Sequence, residues 1–151
     1  MTFLVERLAE LRRHLDHLHE IRPRVESPES LEEDLSLHND VLFSLLTVSQ
    51  LVIDISGEIC AEEGLPFDDY TSTVRNLTRI PGFDPETVRQ LARLPGFRNV
   101  LVHEYVGLDF DLVLAALNDL EPVEAFLGIV RRRLGDAGPD TSEQDSDDSD
   151  A

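Results

Sequence analysis

The sequence predicts an all-α protein, an antiparallel helical bundle, and three observations carry that expectation. Leucines recur at helical spacing along the N-terminal segment, no stretch alternates apolar and polar residues as a strand would, and Pro and Gly fall where helices start and stop. With 151 residues, 41% hydrophobic and 29% charged, the chain has the material for one hydrophobic core and little for a second.

Leu4, Leu8, Leu11, Leu15 and Leu18 are separated by four and three residues in turn, which puts all five on one stripe of a first helix. Pro23 and Pro28 end that pattern. Ser27-Pro28, with Ser30 and Glu33 three residues apart, supplies cap and capping-box chemistry for a second start. The second helix reads as long and uninterrupted, with Leu31, Leu35, Leu42, Leu45, Leu46, Leu51, Val52, Ile55 and Ile59 as its apolar positions. Gly64 suits the left-handed position just past its end, and Pro66 follows.

From Asp68 a shorter helix runs through Val74, Leu77 and Ile80 and is closed by Pro81-Gly82, and Asp84-Pro85-Glu86 opens another with Asp as cap and Pro in the first turn. Pro95 begins the next helix, which is expected to carry Arg98 through Tyr105 and to stop near Gly107, with a possible kink at Pro95-Gly96 displacing Arg98. A last helix starts after Asp109, includes Leu112, Val113, Leu117, Phe126 and Val130, kinks at Pro122 and ends in Arg131, Arg132 and Arg133, where cations favour the negative end of the helix dipole.

The charge is lopsided: 31 Asp and Glu stand against 13 cations, all of them Arg, for a net charge of -18. A Lys-free, acid-rich composition is what a salt-rich cytoplasm, a halophile's, selects, because salt at 1 M screens self-repulsion over about 3 Å. A GC-rich genome also favours Arg over Lys, and composition alone leaves both explanations open, the acid excess favouring the first. Seven of the acids lie in residues 136–151, a segment with no base and no large apolar side chain, so the domain is assigned to 1–135 and the remainder to a disordered acidic tail. The body keeps 24 acids against 13 Arg and is acidic in its own right.

No apolar run approaches the roughly 20 residues of a membrane span, and Glu6 follows too soon for a signal peptide, so a cytoplasmic location is expected. Cys60 has no partner for a disulfide and sits in an apolar helical pattern, the place of a small core residue. His14, His17 and His19 lack a carboxylate placed as a third ligand and read as solvated helix surface, as does His38, so no metal site is expected. Cys-x-x-Cys, His-Glu-x-x-His, Gly-x-Ser-x-Gly and Gly-rich phosphate loops are all missing, which leaves the common metal, redox, acyl-transfer and nucleotide-loop chemistries without their machinery.

What remains is Arg98-Asn99-Val100-Leu101-Val102-His103-Glu104-Tyr105. At about 100° per residue, Arg98 and Tyr105 fall on nearly one face and Asn99 and His103 on another, while Val100, Leu101 and Val102 form an aliphatic patch. Arg98 and His103 are about 140° apart, so a second copy or a long reach of the Arg must close the gap. Taken by themselves these residues also fit a solvated or interface face.

The ordered text resembles the HepT toxins of the HEPN ribonuclease superfamily: Arg98-Asn99, three residues, His103, one residue, Tyr105. Val52-Ile53-Asp54-Ile55, Gly64-Leu65-Pro66 before Tyr70, Leu77, Phe97 and Gly107-Leu108-Asp109 are similar too, over about residues 3–133. The resemblance implies a metal-independent endoribonuclease without cofactor, the toxin of a type VII toxin-antitoxin system, working as a homodimer with a composite cleft. Arg98 and His103 would be catalytic, Asn99 would orient phosphate or His, and Tyr105 would accept AMP from a minimal nucleotidyltransferase antitoxin of the MntA type, leaving a phosphate-bearing, silenced toxin. The chemistry suits the residues: an imidazole moves protons near neutral pH, and a guanidinium holds two phosphoryl oxygens while staying charged.

The net charge opposes RNA binding, although Arg75 with Arg79 and Arg89 with Arg93, spaced i,i+4, would offer a local basic groove with Arg98. Two other readings use the same bundle: a non-catalytic HEPN module that binds nucleotide or partners a nucleotidyltransferase, and a helical dimerisation protein with no site.

Overall fold

A computed structural model describes residues 2–136, and the acidic tail assigned above lies almost wholly outside the described residues. Among them there is no strand. The helices are α1 (Thr2–Ile21), α2 (Pro28–Glu33), α3 (Leu35–Glu62), α4 (Tyr70–Arg75), α5 (Pro85–Leu91), α6 (Leu94–His103), α7 (Phe110–Leu117) and α8 (Glu121–Asp136), with 3-10 turns at Arg22–Arg24 and Asn76–Arg79.

The leucine stripe of α1 is buried as its spacing predicts: Leu4, Leu8, Leu11, Leu15 and Leu18 all face α3 and α8. His14 meets Ser44 at 3.3 Å and His17 meets Asp40 at 2.7 Å, so partners on α3 fall in number as those on α1 rise, and the two helices run antiparallel. Arg12 and His19 both reach Glu124 on α8, and Arg133 at its far end pairs with Glu63 just past α3, which makes α8 antiparallel to α1. The three histidines of α1 thus each meet a neighbouring helix; His17 and His19 stay partly exposed at the helix surface as expected, His14 is largely covered, and His38 stands edge-on to Phe110 at 5.5 Å. Among the described residues no group of three potential ligands could hold a metal ion.

The uninterrupted second helix is corrected. Asp34 breaks it, leaving the helical region at φ -123°, and its carboxylate accepts from the Leu37 backbone N–H at 3.1 Å to cap α3. The break shifts the helical phase, so Leu37 is buried while Leu35 is 69% exposed. The cap of α2 is Ser27 with Ser30, whose hydroxyl accepts from the Ser27 N–H, rather than Ser30 with Glu33. Past the end of α3, Gly64 takes φ 67° and the bonds Leu65 N–H to Cys60 O at 2.8 Å and Gly64 N–H to Ala61 O at 3.3 Å close a Schellman motif.

By length and composition α3 is apolar enough to cross a membrane, yet 56% of its most apolar window is buried inside the fold, where it is the central helix of the core. Val41, Val52, Ile55, Ile59 and Cys60 are fully enclosed, and burial pushes the Cys60 thiol up from its ordinary pKa. Ser56, also fully buried, has a hydroxyl without a hydrogen-bond partner. Ser56→Ala is therefore expected to raise stability by about 1 kcal/mol, since it removes an unsatisfied buried polar group and loses no bond. Chemical denaturation of the two proteins side by side measures it.

The last predicted helix is also two, α7 and α8. Pro122 lies in the first turn of α8, where its missing N–H costs nothing, and does not kink a continuous helix. Between α1 and α8 the polar clamp is the fork of Arg12 on Glu124, at 2.6 and 2.7 Å. Arg12 holds the Glu124 carboxyl below the usual carboxylate range, with His19 adding to it. A depressed carboxylate stabilises the fold above its unfolded pKa of about 4.3, and that contribution is lost as pH falls through the folded value. Glu124→Gln should thus be destabilised at pH 7, by roughly 1 kcal/mol for a fork about a third exposed, and in melting curves the difference from the wild type should shrink as pH falls below the unfolded carboxylate range.

Candidate functional site

The Arg98 segment sits on α6, which begins one residue before Pro95. The proline is in the first turn and buried, so it starts the helix and does not kink it under Arg98. Phe97 and Leu101 pack on the core, which turns Arg98, Asn99 and His103 to the α3–α4 side and to solvent. The helix ends at His103. Glu104 leaves it at ψ 35°, and Gly107 follows with φ 76°.

Tyr105 is therefore not on the helix, and the shared face expected for Arg98 and Tyr105 does not exist. The ring stands in the turn after α6, 72% exposed, beside Val106 at 84%. Arg98 and His103 remain on one helix as expected, about 140° apart and about 7.5 Å along its axis. Nothing in a single chain brings them together. His103 is exposed and makes no hydrogen bond among the described residues.

Arg98, by contrast, is half-buried and held. Its Nε–H donates to Gln50 Oε1 at 2.9 Å and its Nη1 to Asn99 Oδ1 at 3.1 Å. Gln50 Nε2 in turn donates to Asp54 Oδ1 at 2.9 Å, one turn along α3, which fixes the amide so that its oxygen faces the guanidinium. Two of five guanidinium donors are used, and the rest, at the Nη end, have no partner among the described residues. The Tyr70 ring, first residue of α4, lies 5.8 Å from the Arg98 Cζ. Asn99 accepts from Arg98 through Oδ1, and its amide N–H has no partner among the described residues.

Gln50 is a site residue the sequence reading did not single out. The signal was there: Gln50 and Asp54 are an i,i+4 polar pair flanking the aliphatic run Leu51-Val52-Ile53, and a partly buried amide there calls for a partner from outside the helix. The basic groove does not form as expected. Arg75 ends α4, Arg79 ends the next 3-10 turn and Arg93 precedes α6, so neither i,i+4 pair shares one helix, while Arg89 is forked onto Glu86 at 2.6 and 2.9 Å. A cavity of about 610 Å³ lies against the other side of α6, lined by Gly96, Phe97 and Val100 with Leu112, Leu120 and Val123. It is apolar and receives none of Arg98, Asn99, His103 or Tyr105.

Comparison with known proteins bears on the family and the fold. The model of the family described as ribonuclease HepT-like matches residues 11–130. No curated protein matches the sequence. Among solved structures, the tri-AMPylated HEPN toxin of Shewanella oneidensis in complex with its MNT antitoxin superposes with a TM-score of 0.74 at 20% identity, over 85% of this chain and 96% of that one. A toxin-antitoxin structure with AMP-PNP gives 0.76 at 19% identity, over 87% and 99%. At these identities the likeness to solved structures is one of fold.

Proposed function

Since the chain belongs to the HepT-like ribonuclease family, we propose that it is the toxin of a toxin-antitoxin pair, an endoribonuclease needing no metal, with Arg98 and His103 as catalytic residues. The observation that carries the reading is the held guanidinium: Arg98 is fixed at Nε and Nη1 beside a solvent-open face, with its remaining donors free for a phosphate. In this mechanism His103 removes the proton of a ribose 2′-hydroxyl, the 2′-oxygen attacks the adjacent phosphorus, and the 5′-oxygen leaves with a proton from His103 of the partner subunit. The products are a 2′,3′-cyclic phosphate and a 5′-hydroxyl. Arg98 neutralises the charge that builds on the phosphoryl oxygens, where fixed donors act most strongly.

The angle between Arg98 and His103 asks for a second copy, and a symmetric homodimer with the two α6 helices facing one cleft supplies it. Phe43 on α3, 63% exposed, and Leu35 offer apolar surface for such a contact. A minimal nucleotidyltransferase of the MntA type would be the antitoxin, transferring AMP from ATP to the Tyr105 phenol with release of pyrophosphate. The exposure of that ring supports the assignment.

The test is cleavage of a single-stranded RNA by the purified chain in excess chelator, with the termini identified by mass, alongside light scattering in the same buffer. Cleavage to cyclic phosphate ends by a dimer is the expected result. Cleavage by a strict monomer would defeat the composite cleft, and dependence on added divalent metal would defeat the metal-free mechanism.

A further inference from the structure

Among the described residues Tyr70 is the one aromatic side chain found against the Arg98 guanidinium, whose Cζ lies over the ring at 5.8 Å from its centroid. It is 46% exposed, and its phenol makes no hydrogen bond among the described residues. Its backbone is nonetheless well fixed. The Asp69 carboxylate caps α4 by accepting from the Ser72 N–H at 2.7 Å, and this bond holds the Asp69 carboxyl below its ordinary pKa. A half-open aromatic ring on a capped helix start thus stands 5.8 Å from a guanidinium that is itself held by Gln50 and Asn99.

Charge sharpens what that ring is for. A protein of net charge -18 gains little from long-range attraction to a polyanion, and several of its cations are already occupied: Arg12 by Glu124, Arg89 by Glu86 and Arg133 by Glu63. Affinity for a nucleic acid then has to come from contacts that do not depend on neutralising phosphates. Base stacking on an aromatic ring is such a contact. It is sequence-tolerant, and it requires a base that is free of a partner strand.

We propose that Tyr70, on the ring face turned away from the Arg98 guanidinium, is a stacking platform for an unpaired RNA base near the phosphate that Arg98 holds, so that this chain selects single-stranded RNA and binds it by stacking more than by charge. The proposal rests on the ribonuclease reading for the identity of the ligand, and its test is built on binding so that the two can fail separately. Loss of a stacking aromatic ordinarily weakens single-strand binding by about 5- to 150-fold. Neutralising one or two phosphates gives a slope of log affinity against log salt of only about -0.7 to -1.4 for a single strand.

The probe is a single-stranded oligonucleotide, 2′-O-methylated throughout so that it cannot be cleaved, with 2-aminopurine moved through successive positions. The expected result is strong fluorescence quenching at one position with wild type and with Tyr70→Phe, and loss of both that quenching and 5- to 150-fold in affinity with Tyr70→Leu. An abasic residue at that position should cost the wild type as much as Tyr70→Leu does and should cost the variant nothing further. If Tyr70 were merely structural, Tyr70→Leu would weaken intact and abasic probes equally, which overturns the proposal. So does a wild type that quenches at no position, a reading that needs no variant to fold, or a salt slope steeper than about -3. Quenching as expected, with no cleavage of the matching unmodified RNA, would leave the stacking site standing and remove the ribonuclease reading. Cleavage without quenching would do the reverse.

Discussion

Arg98→Ala and His103→Ala are each expected to lower kcat/KM for RNA cleavage by roughly 10²- to 10⁴-fold, with melting temperatures close to that of the wild type. The two losses arise differently. His103 is exposed and makes no hydrogen bond among the described residues, so its removal disturbs nothing in the fold and takes away only proton transfer. Arg98 is tied to Gln50 and Asn99, and its removal leaves two partially exposed amides that water can satisfy. Arg98→Lys keeps the charge but loses both the Nε bond and the planar fork, so it should recover little activity. Single-turnover cleavage and thermal melts of the same preparations measure these effects. Activity within threefold of wild type in either alanine variant would remove that residue from the mechanism, and a collapsed melt in His103→Ala would contradict its exposed position.

Tyr105→Phe is expected to fold normally, keep its ribonuclease activity and escape the antitoxin, an all-or-none change in regulation. The ring is 72% exposed in the turn after α6, so Phe loses no buried hydrogen bond and only the nucleophilic oxygen disappears. Adenylated Tyr105 would bring phosphate charge and an adenine to the mouth of the site, in competition with RNA for the free donors of Arg98. Because Tyr105 lies beyond the helix, that competition depends on the reach of the turn rather than on a shared helical face. The experiment incubates wild type and variant with the nucleotidyltransferase and ATP and weighs the intact chains. Added AMP on the wild type alone is the expected outcome, and equal addition to both would assign the modification elsewhere.

The leucine stripe of α1, the Asp84-Pro85 start of α5, the Gly64 stop of α3 and the first-turn place of Pro95 were all legible from the sequence, because each depends on contacts within one turn of chain. So was the family, since Arg98, Asn99, His103 and Tyr105 keep their order and spacing whatever the fold does around them. Several features depended on residues far apart in the chain or on competition between local signals. Asp34 has the side chain of a cap and of an ordinary exposed helix residue, and its choice to break the helix was fixed by burying Leu37 in place of Leu35. The helix could in principle have run on to Tyr105, and periodicity by itself gives no reason for it to stop at His103.

The histidines of α1 meet neighbouring helices only because α3 and α8 bring Ser44, Asp40 and Glu124 within reach. The state of Arg98 is the clearest case. Its identity and place on a helix are local facts, but the roll of its guanidinium is set by Gln50, 48 residues away, and through it by Asp54. Spacing along one helix determines which residues can share a site. Only the packing of α6 on α3 decided which donors of Arg98 are taken and which are left without a partner among the described residues.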